Sequence, residues 1–215
     1  MAKGKSRHVQ NATFRVALIA VMAALLLGGK EALSFVPNVE VVTLFCALFG
    51  YVFGWLGLVA VWIFILIEPF LYGFAVWVVE YYIHWTAVVL VFWGLAKLGV
   101  RNPILLTLSA LVLTAAFGVQ TGLLDMLVYG GRLDRYWQKF AAYYVNGARF
   151  YIVQLVCNLV LFLVAFLPLE KVLRALAVRY RVGTRIPEQP REPADLPLEE
   201  AVPEEPFHED QSHTD

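Results

Sequence analysis

The sequence predicts an all-α integral membrane protein: a bundle of six transmembrane helices with both termini on the cytoplasmic side. Two observations carry this reading. The chain is 60% hydrophobic and only 16% charged, against roughly 25% charged in an ordinary soluble domain. The deficit is also concentrated, since Glu68 is the one charged residue among the 39 positions from Val41 to Val79. A helix rising about 1.5 Å per residue crosses a hydrocarbon core about 30 Å thick in about 20 residues, so that stretch holds two spans. A buried soluble core would show polar faces at helical spacing, and none occur there.

The elements follow in order. Residues 1–12 form a basic cytoplasmic start with Lys3, Lys5 and Arg7, and residues 13–176 form the membrane domain. The first span, Thr13 to Gly29, has the charged head and apolar run of a signal peptide. Gly28-Gly29-Lys30-Glu31 is nevertheless a poor cleavage site, so the segment is expected to stay. The second span runs from Val41 to Phe53 and turns at Gly54-Trp55-Leu56-Gly57 into a third that ends near Val76. A fourth covers Tyr82 to Leu98 and is broken by Arg101-Asn102-Pro103; a fifth covers Ile104 to Leu124. A polar stretch from Asp125 to Gly147 precedes the sixth, Ala148 to Leu169. Residues 177–215 are a tail, basic and then rich in Pro and Glu; its acidic part is expected to be disordered.

With six spans, one side of the membrane collects 11 boundary Lys/Arg and the other 5, which places both termini inside. The formal net charge of zero hides a split: residues 1–186 carry 16 Lys/Arg and 7 Asp/Glu, residues 187–215 one Arg and 10 Asp/Glu. The basic flanks suit a lipid bilayer and form no single nucleic-acid patch. Cys46 and Cys157 both fall inside spans and read as small buried hydrophobes.

Polar residues gather toward the outward loops. Aromatic belts account for part of the clustering of Trp77, Tyr81, Tyr82, Trp85, Tyr136, Trp137, Tyr143 and Tyr144, with Asn146 alongside. They do not account for Glu80 and His84, which lie four apart on one helical face and are placed to pair. Glu68 stands deep in a span, where an ionisable group costs about 2.5–3.5 kcal/mol and faces a cavity or a partner helix. Tyr72 lies one turn on, and Pro69 removes a backbone donor. On the sixth span Gly147, Tyr151, Gln154 and Asn158 share one face, which serves either interhelical hydrogen bonding or a polar cavity shared with Glu68. Ala17, Ala20 and Ala24 stripe the first helix, and Gly50-x-x-x-Gly54 the second; such stripes serve close packing within the chain or against another membrane protein.

The chain contains no G-x-x-x-x-G-K-[ST], no H-E-x-x-H, no clustered Cys/His ligands and no G-x-S-x-G. ATP hydrolysis, metal chemistry and serine hydrolysis therefore find no motif, and neither a cofactor nor an enzymatic activity is expected.

Six short spans, an alanine-striped first helix and the run Leu33-Ser34-Phe35-Val36-Pro37-Asn38-Val39-Glu40 before Phe49-Gly50 form a recognisable combination. With Leu66-Ile67-Glu68, Tyr72-Gly73-Phe74, Trp77, Tyr81 and the closing Phe166-Leu167-Pro168-Leu169, it resembles the substrate-binding S components of energy-coupling factor (ECF) transporters over residues 12–176. The resemblance implies a bacterial plasma-membrane subunit that captures a small vitamin-like nutrient from outside. It would dock through Ala17, Ala20 and Ala24 onto a transmembrane coupling protein carrying two ATPase subunits. Aromatic rings would stack on a flat heterocycle, and Glu40, Glu68 and Glu80 would accept hydrogen bonds or balance a cation. Three acids without a matching basic cluster point to a neutral or cationic aminated heterocycle, with thiamine or its pyrimidine moiety as one candidate. The acidic tail lies outside the resemblance. A membrane scaffold acting through that tail, and an intramembrane enzyme using Glu68 or Glu80 and His84, are the alternatives.

Overall fold

The computed structural model describes residues 2–36, 39–129 and 135–184; Pro37 and Asn38 of the first loop, Arg132, and the acidic tail lie outside them. Every regular element among the described residues is helical: α1 (Ala2–Leu33), α2 (Val42–Phe53), α3 (Trp55–Tyr72), α4 (Val76–Lys97), α5 (Pro103–Tyr129), α6 (Tyr136–Leu161) and α7 (Leu167–Arg179). A π-helical turn, Phe162–Phe166, joins α6 to α7, so Tyr136–Arg179 is one rod of 44 residues. The described residues thus form six helical rods.

Five of the rods are long and apolar enough to cross a membrane. The chain is a multi-pass helical membrane protein by that measure. The expected second span is the departure. Its 12 residues cover only about 18 Å at 1.5 Å per residue. Eleven of those residues are buried, among them Leu48, Phe49, Val52 and Phe53. α2 is a central strut packed mainly on α4, while α5 packs on α6 and α1 on α3.

The last rod also differs from expectation, extending at both ends beyond Ala148–Leu169. The polar stretch before it is largely helical, because Tyr136 to Gly147 continue the rod rather than forming a loop. It passes Pro168, which cannot donate a backbone hydrogen bond, directly after the π turn. A π turn shifts the hydrogen-bond ladder and so accommodates a residue lacking a donor. Phe162 and Phe166 on that turn pack in tilted geometry against Phe92 of α4, with ring centroids 5.6 and 5.7 Å apart, which fixes the rod on the core.

Apolar side chains face outward along every long rod, including Leu66 and Phe70 on α3, Leu108 and Val112 on α5, and Val160 and Val164 on the last rod. Lipid tails cover such a surface, whereas water would not. Arg15, Gly54, Lys97 and Arg181 line one cleft, while Lys30, Glu40, Tyr72 and Gln154 line another hollow. The part of α1 around Arg15, the α2–α3 turn, the end of α4 and the segment after α7 therefore share one end of the bundle.

Candidate functional site

The hollow at the opposite end has a volume of about 310 Å³. It lies over the start of α2, whose late beginning leaves the space open. The end of α1 and the following loop contribute Lys30, Leu33, Ser34 and Val36; Glu40 and Val42 border it below. Tyr81 and Trp85 of α4 and Phe117 of α5 form an aromatic wall, with Tyr81–Trp85 and Trp85–Phe117 centroids 5.9 and 6.0 Å apart.

Glu68 points into the protein and is fully buried, paired with the Lys30 ammonium. That ammonium also lies 4.8 Å from the Tyr72 ring centroid, 5.2 Å from Tyr81 and 6.0 Å from Trp77. A cation within about 6 Å of ring faces is held by their quadrupoles. Lys30 thus sits in an aromatic box with Glu68 behind it, and Lys30 rather than Glu68 meets the hollow. The Tyr72 hydroxyl donates to Glu31, tying α3 to the end of α1.

Glu40 borders the hollow, but its carboxylate is engaged. It accepts from the backbone N–H of Val42 at 2.9 Å, from that of Thr43 at 3.2 Å and from the Thr43 hydroxyl at 2.6 Å. The first N–H groups of a helix have no partner within it, and a carboxylate there also complements the helix dipole. Gln154 Nε2 donates to the same carboxylate at 3.4 Å and brings α6 to the hollow's edge.

Other expected residues lie elsewhere. Glu80 and His84 are buried behind the aromatic wall, between α4 and α5, and do not border the hollow. Gln120 Nε2 donates to the Glu80 carbonyl at 2.9 Å, and the His84 ring lies 4.6 Å from Phe117. The expected Glu80–His84 pairing is not made; Glu80 Oε1 and His84 Nε2 have no hydrogen-bond partner among the described residues. Tyr151 lies over Gly118 of α5 and serves α5–α6 packing, and Tyr144 stacks on it at 5.1 Å along α6; neither borders the hollow. Asn146 is exposed outside the hollow. Asn158 is fully buried and donates to Thr114 Oγ1 at 2.9 Å, an interhelical bond away from the hollow.

Of the expected ligand residues, Glu40, Tyr72, Tyr81 and Gln154 border the hollow, while Glu68 and Trp77 hold Lys30. Lys30, Ser34, Trp85 and Phe117 were not among them. The signal for Lys30 is in the sequence: it is the only Lys or Arg between Arg15 and Lys97, so a buried Glu68 has no other basic partner nearby in the chain. Trp85 follows His84 in an aromatic cluster, and nothing local marks which ring faces inward.

Ala17, Ala20 and Ala24 are all exposed, while Ala23, Met22 and Leu26 turn inward on α1. The stripe is thus on the outer surface, with Ala17 bordering a groove formed with Phe53, Leu176 and Val182. Gly50 does the reverse and brings α2 against the α4 backbone at Val89. Cys46 and Cys157 are free thiols, Cys46 fully buried and Cys157 partly so.

Asn158→Ala removes an interhelical bond but leaves Thr114 satisfied, because its hydroxyl donates to the Ala110 carbonyl at 2.9 Å. The expected loss is about 0.6–1.7 kcal/mol, read as a small drop in melting temperature in detergent. A large drop would show that Asn158 holds more than this contact.

No family model, curated protein or solved structure matches this chain. Fold and site together define a multi-pass helical membrane protein with an aromatic, donor-rich hollow at one end of its bundle.

Proposed function

We propose that this chain is a membrane-embedded binding subunit. It captures a small, flat, vitamin-like nutrient in the hollow and delivers it to a transmembrane coupling protein driven by two ATPase subunits. The observation that carries this reading is the hollow itself. At about 310 Å³ it falls within the roughly 300–1,000 Å³ of small-molecule sites, in a chain without a phosphate-cradling motif of its own. The resemblance to ECF S components supports the same reading, as does the exposed face at Ala17, Ala20 and Ala24, a surface on which another membrane helix can approach closely. The balance of boundary Lys/Arg favours placing the hollow on the outer side and both termini in the cytoplasm of a bacterial cell.

The charges favour the neutral part of the expected ligand range. Glu68 is neutralised by Lys30, Glu40 caps α2, and Glu80 lies behind the wall. What remains open is donor capacity. An ammonium has three N–H groups, and the Trp85 indole N–H is buried without a partner among the described residues. A cation would have to displace Lys30, and a polyanion would strand Glu68. A neutral planar ring bearing nitrogen or carbonyl acceptors does neither, so the pyrimidine moiety of thiamine is favoured over thiamine itself.

Native mass spectrometry of the purified chain is expected to find a co-purified small heterocycle. Glu68→Gln, which frees Lys30 from its box, is expected to weaken affinity about 10-fold or more, on the order of the 1.5–3 kcal/mol of a charged hydrogen bond. Unchanged affinity in titration calorimetry would make Glu68 purely structural. Turnover of a substrate by the purified chain alone would favour an enzyme instead.

A further inference from the structure

The end of the bundle remote from the hollow carries a second cleft, of about 410 Å³. Three cations line it from separate parts of the chain: Arg15 on α1, Lys97 at the end of α4, and Arg181 just after α7. Among the described residues no carboxylate lines it. The ion pairs among the described residues are Lys30–Glu68 and Glu170–Arg174, so none of the three has a carboxylate partner there. The Lys97 ammonium rests 4.0 Å from the Trp93 ring centroid, on the cleft wall.

The cleft is a built feature. After α7 the chain turns back and is pinned to the core, with Val182 N–H donating to the Ala177 carbonyl at 2.9 Å and Thr184 N–H to the Val52 carbonyl at 2.7 Å. Gly183 makes the approach possible: its φ is +105°, and a Cβ there would stand 2.5 Å from the Val52 carbonyl oxygen. Thr184 Oγ1, on the lining, is buried with no hydrogen-bond partner among the described residues. Three like charges held around a fixed cleft repel one another and favour an anionic occupant.

The chain supplies such an occupant next to the cleft. Residues 187–215 carry 10 Asp/Glu against one Arg, beginning with Glu188, four residues beyond Thr184. Four extended residues span at most about 14 Å, so the first carboxylates can reach the lining. We propose that the acidic segment 187–215 docks on this cleft, its carboxylates pairing with Arg15, Lys97 and Arg181. A short tether holds the segment at an effective concentration in the millimolar range, an advantage that no separate acidic protein has. The arrangement does not depend on what the opposite hollow binds.

Bimane fluorescence, which tryptophan quenches on contact, tests this on the full chain. Cys157 is replaced by alanine, buried Cys46 is left in place, and the probe is attached at Gln189→Cys. Trp93 and Trp55 on the cleft lining are expected to quench it. Arg15→Glu/Lys97→Glu/Arg181→Glu is expected to abolish the quench, as is 1 M salt, where the screening length is about 3 Å. Glu188→Gln/Glu192→Gln/Asp195→Gln must abolish it as well; this variant leaves the membrane domain intact if the triple reversal does not fold. Emission unaffected by either variant would overturn the proposal. So would loss of the quench on moving from neutral to phosphatidylglycerol nanodiscs, which would assign the cleft to anionic lipid.

Discussion

Lys30→Met is expected to lower the melting temperature of the detergent-solubilised protein far more than Glu68→Gln. The two residues form one ion pair, but their surroundings differ: the Glu68 side chain is fully buried, whereas 25% of Lys30 remains exposed. Removing the ammonium leaves a carboxylate enclosed by protein with one oxygen already lacking a partner. Breaking a buried pair in this way costs about 3–5 kcal/mol. A chain of this size loses about 2–4 °C per kcal/mol, so the expected shift is on the order of 10 °C. Removing the carboxylate's charge instead leaves an ammonium that can turn toward the hollow and its water, at a smaller cost. The double variant Lys30→Met/Glu68→Gln removes both charges and is expected to recover most of the loss. Thermal unfolding followed by tryptophan fluorescence reads all three. Equal shifts for the single variants, or a double variant as unstable as Lys30→Met, would show that the pair is not the coupling described.

Gly50→Ala is expected to be nearly as damaging, for a reason unrelated to charge. A Cβ at Gly50 would stand 2.5 Å from the Val89 carbonyl oxygen and 2.9 Å from its Cα. Both are backbone atoms, so no side-chain rotation relieves the clash. α2 would have to move off α4, the partner on which it packs most extensively. Overpacking of this kind costs about 1–3 kcal/mol, and a central strut without slack lies toward the upper end. Gly57→Ala meets the Phe49 carbonyl carbon and oxygen, both at 2.5 Å, and is expected to behave alike. Gly94→Ala is the control, because nothing lies within 4 Å of its Cβ position; it should be neutral or gain up to about 1 kcal/mol of helix stability. A melting temperature for Gly94→Ala as low as for Gly50→Ala would remove the steric explanation.

The elements were legible to different depths. Apolar runs separated by Gly54 and by the break at Arg101-Asn102-Pro103 marked the existence and order of the first five helices, since a span is a local property of about 20 residues. Their ends were less legible: α1 begins well before the expected Thr13, α3 ends at Tyr72 rather than near Val76, and α4 begins at Val76 rather than Tyr82. α2 was placed to within a residue, but at 12 residues it is shorter than the other rods and almost wholly enclosed by them, a difference that sequence does not show because burial inside a bundle and burial in lipid select the same residues. The last rod was cut short at both ends. Aromatic and polar residues from Tyr136 to Asn146 suggested a loop, and the basic residues from Lys171 onward suggested that the span ended at Leu169, whereas the helix runs on through α7.

Composition and pattern by themselves determined that this chain is helical and crosses a membrane several times, because insertion depends on hydrophobicity added up along a local stretch. They also marked Glu68 as a residue that must face either a cavity or a partner. Which group answers it was decided by tertiary structure, since Lys30 is 38 positions away and meets Glu68 only when α1 lies along α3. The same holds for Glu40, drawn to the exposed N–H groups of α2, and for Glu80 and His84, turned behind a wall of rings. Periodicity assigns a side chain to a face of its helix, but the neighbour that face meets is set by how the rods pack.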